Sequence, residues 1–442
     1  MKEKLFVLSM DAMVREDVEY MMTKPNFSKI MEKRAEVERV TTIYPSITYP
    51  AHTSILTGCR PGKHGIYNNH PLKTYKDRIG HWYLYSKSIQ VEDLFAAAKR
   101  AGCSTAAVYW PITGCNPNID YIIDEYFFYY PNEGAEEAFA RLGAGEEALQ
   151  AVRENMHRFP TTRGSKELQI TSTFDDFIMG CTCSLIRNQQ PDVLLVHNCY
   201  MDSHRHHYGV FGDKTKECLD MLDVWLGEVY QAMVDAGVYE DTNFVILSDH
   251  GQMDFTRRIK MNVLLQRGGL LDVAPDGTLY DWQAYAQSNG MSATIHLRDH
   301  NNLTLRQRVY EYLKQLAAEG VWGFKQVYTV DEVRERYGTY GAFSYMVETD
   351  GDTAFSDDWL EPVESPVVLT DYRLGYATHG YEPEKGPQPV FMGRGPAFKE
   401  GAMIAKASVV DEAPTLAKIL GQEMPQAEGR CLGELLNNRY YC

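Results

Sequence analysis

The chain has 442 residues, of which 44% are hydrophobic and 24% charged, and its formal net charge at pH 7 is −16. This length is enough for one large core with inserted segments, and the composition is ordinary for a globular protein. The acidic balance argues against binding of polymeric nucleic acid, which needs a basic surface. No stretch approaches the ~20 apolar residues of a membrane-spanning helix. No signal peptide is visible either, so the sequence predicts a cytoplasmic protein without a membrane partner.

The nine cysteines are scattered without paired spacing. This pattern indicates reduced thiols and not a disulfide framework. The closest pair is Cys181 and Cys183, for which a metal role is disfavoured. The sequence does not define an oligomeric state, and a homo-oligomer is compatible with it.

Three short apolar runs each lead into acidic or histidine residues. In chain order, these are residues 5–8 before Asp11, residues 192–196 before Asp202, and residues 243–247 before Asp249 and His250. Continuous apolar runs of this length are typical of buried parallel strands. Ligands bind beyond the carboxyl ends of such strands, so the three runs are expected to converge on one crevice.

The spacing of the polar residues indicates metal ligands. Asp202 and His206 lie four residues apart, so one helical turn would aim both at one ion. Asp249 and His250 are adjacent at a strand end, and His379 stands next to a glycine. With Asp11 and Thr48 the set supplies three carboxylates, three imidazoles and a hydroxyl, which suits two divalent metals beside an alcohol nucleophile. Taken singly, each aspartate could cap a helix and each histidine could be a polar core residue.

Thr48 is the candidate nucleophile. It stands in an extended segment that enters a helix, and Pro50 fits the first turn of that helix. Free N–H groups and the helix dipole at this position favour a phosphate. The alternative is that Thr48 only caps the helix with its side chain, as threonine often does.

Several motifs resemble the nucleotide pyrophosphatase/phosphodiesterase family of the alkaline phosphatase superfamily. The resemblance covers residues 1–120, 190–255 and 370–442, in the order that the family has. The matching elements are Thr48-Tyr49-Pro50-Ala51-His52, Thr57-Gly58, His64-Gly65, Asn68-Asn69, Asp202 with His206 and Gly209, Asp249-His250-Gly251, and His379-Gly380-Tyr381.

The resemblance implies two Zn²⁺ ions per chain and a covalent mechanism. Asp202, His206 and His379 would hold the first zinc, while Asp11, Asp249, His250 and Thr48 would hold the second. Asn69 would donate its side-chain amide to a phosphate oxygen. Thr48 would attack phosphorus and form a phospho-threonine, which water then hydrolyses.

The resemblance also suggests a nucleotide-like or other small phosphodiester as substrate. Nucleotide-specific members stack the base on two aromatic side chains, and Tyr49 matches the first of these positions. His197 occupies the second position, where an imidazole buries less area than a larger ring. Tyr49, Asn69 and His197 are therefore the predicted substrate-binding residues.

Other activities on the same site stay open. Phosphonoacetate hydrolases share the threonine and the ligand pattern, so a phosphonate or phosphomonoester hydrolase is the main alternative. A non-catalytic metal-binding or ligand-binding protein is a lesser alternative, because all seven ligand positions keep competent residues. Sulfatase chemistry is disfavoured, since it needs a cysteine or serine in place of Thr48.

The expected fold is an alkaline-phosphatase-like α/β core, in which helices flank a mostly parallel central sheet. Residues 1–254 would form the first part of the core, with a second insertion at 124–165. Residues 255–370 fit no alternation of strand and ligand, and we interpret them as an inserted cap. Residues 371–442 would complete the core.

Overall fold

The computed structural model describes residues 3–72, 82–126, 133–160, 172–369, 371 and 374–440. It has an α/β fold in which one large sheet lies between two layers of helices. The strands are β1 Lys4–Met10, β2 Ala35–Thr41, β3 Thr105–Val108, β4 Tyr121–Ile123, β5 Val193–Asn198, β6 Thr242–Leu247, β7 Met253–Asp254, β8 Arg257–Lys260, β9 Leu271–Val273, β10 Leu279–Trp282, β11 Ala284–Ser288, β12 Ser292–Leu297, β13 Phe324–Thr329, β14 Tyr345–Thr349, β15 Thr353–Ser356, β16 Glu364–Ser365, β17 Ala377–Thr378, β18 Phe391–Arg394 and β19 Met403–Ser408.

The α-helices vary from one turn to more than six turns. They are α1 Arg15–Met21, α2 Pro25–Met31, α3 Thr48–Thr57, α4 Pro61–His64, α5 Leu94–Arg100, α6 Ala135–Arg141, α7 Glu146–Asn155, α8 Ser172–Asn188, α9 Tyr200–Tyr208, α10 Asp213–Asp235, α11 Met261–Arg267, α12 Leu303–Glu319, α13 Val330–Tyr337 and α14 Glu412–Ile419. None of the helices in the described ranges is long and apolar enough to cross a membrane.

The central sheet has eight strands in the order β19-β2-β18-β6-β1-β5-β3-β4. Strands β6, β1, β5, β3 and β4 run parallel, whereas β18 pairs antiparallel with both β2 and β6. The three apolar runs of the sequence are β1, β5 and β6, and they lie side by side in the sheet. This confirms the expected α/β class, with one strand reversed.

The central sheet is covered on both faces because its inner strands are apolar on both sides. On β1, Phe6 and Leu8 pack into one core cluster, while Leu5 and Val7 pack into another. In the first cluster, helix α10 packs on the sheet through the buried residues Leu219, Leu222, Trp225, Leu226, Val229 and Met233. The second takes buried side chains from α3, α5 and α14.

Residues 255–370, which we call the cap segment, contain a separate antiparallel sheet in the order β11-β12-β14-β13. Helix α12 packs on this sheet through a third apolar cluster, which includes Val309, Leu313 and Val347. The exact division into core and cap segment remains a prediction. The insertion expected at 124–165 contains α6 and α7, and part of it falls outside the described residues.

The cysteines differ in one respect from the expectation of reduced thiols. Cys431 is disulfide-bonded, and the seven other described cysteines are free. A scattered arrangement of cysteines along a chain does not exclude a pairing, which depends on how the fold brings two residues together. Disulfides are rare in cytosolic proteins, so Cys431 gives no support to the predicted location. Cys181 and Cys183 are buried in the core.

A buried ion pair joins helix α9 to the segment after β1. The guanidinium of Arg205, which is fully buried, donates to both carboxylate oxygens of Asp17 at 2.8 and 2.9 Å. The same guanidinium donates to the carbonyl oxygens of Val210 and Ala12. Arg205 therefore fixes the position of α9 relative to Asp11, the residue that precedes Ala12.

We expect Asp17→Ala to lower the free energy of unfolding by about 3–5 kcal/mol, because it leaves the buried Arg205 charge uncompensated. Denaturant titration measures this change. The control is Glu434→Gln, which breaks the exposed pair between Arg430 and Glu434 (2.8 Å) and should cost about 0–1 kcal/mol. Equal effects of the two substitutions would contradict a special role for the buried pair.

Candidate metal centre

Neighbouring strand ends bring the candidate ligands together. Strands β6, β1 and β5 are adjacent, parallel and in register, with Ser9 opposite Leu247 and Met10 opposite Asn198. Asp11 follows β1 directly, and Asp249 stands two residues after β6. Helix α9 starts two residues after β5 and carries Asp202. The carboxyl ends of three parallel strands thus point into the same crevice, as the sequence predicts.

The ligand candidates form two groups that could each hold a metal ion. Within each group, one potential ligand atom from every residue lies within 4.8 Å of the others. The first group is Asp202, His206 and His379, and the second is Asp11, Asp249 and His250. This division agrees with the one that the motifs imply. The rings of His250 and His379 stack at 4.0 Å between centroids, so the two groups are neighbours.

The surroundings of the two groups fit bound cations. The Nδ1–H of His206 donates to the carbonyl of Ala377 at 2.7 Å, which leaves its Nε2 atom directed at Asp202. Such an outer hydrogen bond fixes the tautomer of a ligating histidine. On the six candidate ligands, four buried side-chain atoms have no hydrogen-bond partner among the described residues. They are Oδ1 of Asp11, Oδ2 of Asp249, and Nδ1 of His250 and of His379. Buried polar atoms without partners are costly, and a cation would satisfy those that face the site.

Burial and charge set the ionisation of the ligands. Burial lowers the pKa of His379 and of His250, so both rings favour the neutral form that binds metals. Burial acts to raise the pKa of Asp249, but nearby imidazoles outweigh it and hold the pKa below its usual range. The pKa of Asp11 is raised, first by burial and then by the Asp249 carboxylate. The carboxyl groups of Asp11 and Asp249 therefore lie close enough to disfavour ionisation of both, and a cation between them would relieve that repulsion.

Thr48 is the first residue of α3, and its Oγ1 atom lies 3.2 Å from Nε2 of His250. Ile47 occupies the N-cap position, and no side chain forms a capping hydrogen bond there. Thr48 therefore does not cap the helix with its side chain. Its hydroxyl faces the second group of ligands from the start of a helix.

Asn69 lies beside the same helix start. Its Oδ1 atom accepts the backbone N–H of Tyr49 at 2.9 Å. Because a backbone N–H can only donate, the amide oxygen must point toward Tyr49. The side-chain NH₂ is therefore directed elsewhere, and Asn69 is oriented so that it can donate.

The two predicted stacking residues are buried in the interior. Tyr49 is 1% exposed, its hydroxyl donates to Glu125, and its ring packs on Trp82 at 4.9 Å. His197 is also 1% exposed and lies 2.9 Å from Asp11, between Nε2 and Oδ2. Neither ring presents an open face, because strand β5 directs His197 beneath the ligands and Trp82 covers Tyr49.

Two histidines support the second group from behind. His197 contacts Asp11, and Nδ1 of His52 lies 3.4 Å from Oδ2 of Asp249. His52 also bonds the carbonyl of Thr48 at 2.9 Å and the hydroxyl of Ser9 at 2.8 Å. The motif analysis gave His52 no role, although its spacing of four residues from Thr48 places both on one helix face.

An α/β sheet, two ligand groups and a threonine hydroxyl 3.2 Å from a ligand of the second group are typical of metal-dependent phosphohydrolases of the alkaline phosphatase superfamily. The chain belongs to the type I phosphodiesterase/nucleotide pyrophosphatase family, whose model matches residues 5–382. Members of this family are hydrolases that act on phosphoric ester bonds.

Curated relatives match nearly the whole chain. The human ectonucleotide pyrophosphatase/phosphodiesterase family member 5 is 22% identical over 429 residues, which is 95% of this chain and 74% of the relative. A human bis(5'-adenosyl)-triphosphatase is 22% identical over 437 residues, which is 95% of this chain and 78% of the relative.

Solved structures show the same fold. Murine ectonucleotide pyrophosphatase/phosphodiesterase 5 superposes with a TM-score of 0.67 at 18% identity, covering 98% of this chain and all of the other. An inactive form of that protein in complex with AMP gives a TM-score of 0.66 at 18% identity, covering 99% of this chain and all of the other.

We expect the protein to bind two divalent metal ions per chain and His379→Ala to bind one, since that substitution removes a ligand from the first group only. Elemental analysis after dialysis against zinc measures the stoichiometry. A metal ion at 100 times its dissociation constant adds about 2.7 kcal/mol to stability, so chelation should also lower the melting temperature.

The matched control is His204→Ala. His204 lies on the same helix as His206, packs between the rings of Tyr200 and Tyr208, and belongs to neither group. This variant should keep both ions. Retention of two ions by His379→Ala would contradict the assignment of His379.

Proposed function

We propose that the protein hydrolyses phosphodiester or pyrophosphate bonds in nucleotide-like or other small substrates, through a phospho-threonine on Thr48. The observation that carries this proposal is the position of the Thr48 hydroxyl, at a helix start and 3.2 Å from a candidate ligand of the second metal group. Membership of the phosphodiesterase family agrees with it.

The proposed metals are two Zn²⁺ ions. Asp202, His206 and His379 would hold one ion, and Asp11, Asp249, His250 and the Thr48 oxygen would hold the other. Each group combines carboxylate oxygens with imidazole nitrogens, a donor set that suits zinc better than calcium or magnesium. When bound, such ions supply Lewis acidity and lower the pKa of a coordinated hydroxyl.

The chain's own residues then have distinct roles. The Thr48 oxygen forms a bond to phosphorus as the bond to the leaving-group oxygen breaks. Water later cleaves the phospho-threonine and restores the hydroxyl. The Asn69 amide donates to a phosphate oxygen, and free N–H groups at the start of α3 favour the negative charge there.

The substrate class is supported by the relatives. One is named a bis(5'-adenosyl)-triphosphatase, and one solved structure is a complex with AMP. Both predicted stacking residues, Tyr49 and His197, are 1% exposed, and a contact of either ring with a base stays a prediction. Trp82 packs on Tyr49 and is more exposed than Tyr49. The Trp82 ring is therefore a further candidate for contact with a base.

The deciding experiment compares zinc-loaded protein on bis(p-nitrophenyl) phosphate and on p-nitrophenyl phosphate. We expect a strong preference for the diester, loss of turnover in Thr48→Ala and partial activity in Thr48→Ser. Thr53→Ala is the matched control, because Thr53 lies on the same helix and, among the residues that the structure describes, its hydroxyl bonds only the carbonyl of Tyr49.

Each contrary result has a defined meaning. Activity that survives in Thr48→Ala would exclude the covalent mechanism. A preference for the monoester, or turnover of neither compound, would favour a phosphonate or phosphomonoester hydrolase. A failure to bind metal would favour a binding protein without catalysis.

We expect Asn69→Ala to lower kcat by about 10²–10³-fold, the usual cost of removing one oxyanion donor. Asn69→Asp keeps an oxygen acceptor for the Tyr49 N–H but lacks the NH₂ donor, so it should lose at least as much. Steady-state kinetics on the diester measure both. A change in KM alone would show that Asn69 contributes uniform binding and not transition-state stabilisation.

A further inference from the structure

Glu348 is a fully buried carboxylate at the boundary between the cap segment and the core. It lies on β14 and accepts three hydrogen bonds from outside the cap segment. Its Oε2 atom accepts the hydroxyl of Tyr44 at 2.8 Å. Its Oε1 atom accepts the N–H of Glu382 at 3.1 Å and the ammonium of Lys385 at 2.8 Å. A buried side chain whose two oxygens are satisfied in this way fixes the geometry of its partners.

The three donors belong to the two loops that carry the reactive groups. Tyr44 stands four residues before Thr48, and Glu382 stands three residues after His379. The Glu382 side chain is itself fixed by the cap segment, since its Oε1 atom accepts the hydroxyls of Tyr328 at 2.5 Å and Tyr337 at 2.7 Å. One side chain of the cap segment thus holds both loops at once.

Neighbouring residues of the cap segment hold the peptide groups next to His379. Ser292 is directly opposite Glu348 in the pairing of β12 with β14, and its hydroxyl donates to the carbonyl of Gly380 at 2.5 Å. The N–H of Met291 donates to the carbonyl of His379 at 2.8 Å. A Cβ atom at Gly290 would lie 2.3 Å from that same carbonyl, so only glycine permits this approach.

The two loops are also bonded to each other. The N–H of Gly380 donates to the carbonyl of Ser46 at 2.9 Å, and the hydroxyl of Ser46 donates to the carbonyl of Tyr381 at 2.8 Å. Ser46 lies between Tyr44 and Thr48. The His379 loop is therefore enclosed by the cap segment on one side and by the loop before Thr48 on the other.

We propose that Glu348 is a positioning residue that holds the His379 loop against the loop before Thr48, so that the cap segment sets the metal affinity of the first ligand group. The inference rests on the proposed function. His379 is the only residue of its group on this loop, since Asp202 and His206 both lie on α9. A shift of the loop would therefore separate one ligand from the other two.

The test is the substitution Glu348→Gln in the full chain. Glutamine keeps the volume but loses the carboxylate that pairs with Lys385, and its NH₂ group either faces the two donors on Oε1 or reverses the hydrogen bond with the Tyr44 hydroxyl. Zinc affinities are measured at pH 7 by competition with a chromophoric chelator. We expect one ion to bind about 10–100-fold more weakly, the usual effect of removing an outer-shell partner, while the affinity for the other ion is unchanged.

A double-mutant cycle assigns the effect to the first group. In the His379→Ala background, which keeps only the second group intact, Glu348→Gln should no longer change the affinity for the remaining ion. If Glu348 had only a general structural role, Glu348→Gln would lower the affinity for that remaining ion as well.

Two milder variants keep the test valid if Glu348→Gln folds poorly. Tyr44→Phe removes the hydrogen bond from the Tyr44 hydroxyl to Glu348 and should lower the affinity for the same ion. Tyr345→Phe is the matched control, because Tyr345 lies on the same strand and its hydroxyl donates to the carbonyl of Arg306 within the cap segment. The control should bind both ions as the native protein does.

The outcomes separate this inference from the proposed function. If the native protein binds two zinc ions and neither Glu348→Gln nor Tyr44→Phe changes either affinity, the inference alone is wrong. If the native protein binds no zinc, the proposed function fails and the inference fails with it. Weakening of one ion in Tyr44→Phe but not in Tyr345→Phe supports the inference, whatever diester the enzyme prefers.

Discussion

The side-by-side order of β6, β1 and β5 is the constraint on which the site depends. A parallel sheet directs the carboxyl ends of its strands to one edge, and these three ends carry Asp249, Asp11 and the start of helix α9. Three carboxylates in a buried crevice repel each other, and unpaired buried charge is expensive. The fold tolerates this cluster because imidazoles alternate with the carboxylates and because cations can occupy the space between them.

The remaining ligands come from elements outside the sheet, and each has its own attachment. Helix α9 carries Asp202 and His206 and is tied to the end of β1 by the buried pair of Arg205 with Asp17. The loop with His379 is tied to the cap segment and to Ser46. Outside the sheet, buried hydrogen bonds and an ion pair thus fix the positions of the ligands, as strand register does within it. A metal centre needs its ligands held in this way.

Much of the fold and the ligand set could be predicted from the sequence because those signals are local. Apolar runs followed by Asp11, Asp202 and Asp249 indicate strand ends within a few residues of each ligand. The surroundings of the ligands could not be predicted in this way. Tyr44 and Glu348 are 304 positions apart, and no local pattern predicts that their side chains meet.

His197 shows the same limit from another direction. A motif position indicated a stacking surface, but alternation along β5 turned the ring inward to Asp11. The disulfide of Cys431 was missed because a scattered arrangement of cysteines does not exclude a pair.

The attachment of the His379 loop to β12 and β14 has a consequence for modularity. An inserted segment that only covered a pocket could be exchanged among relatives to alter which molecules enter. Here the cap segment also supplies hydrogen bonds to the carbonyl groups of a candidate ligand, His379, and of the next residue, Gly380. A segment transplanted from a relative would therefore need residues equivalent to Ser292 and Glu348. A chimaera that lacked them would change its metal content together with its substrate selectivity.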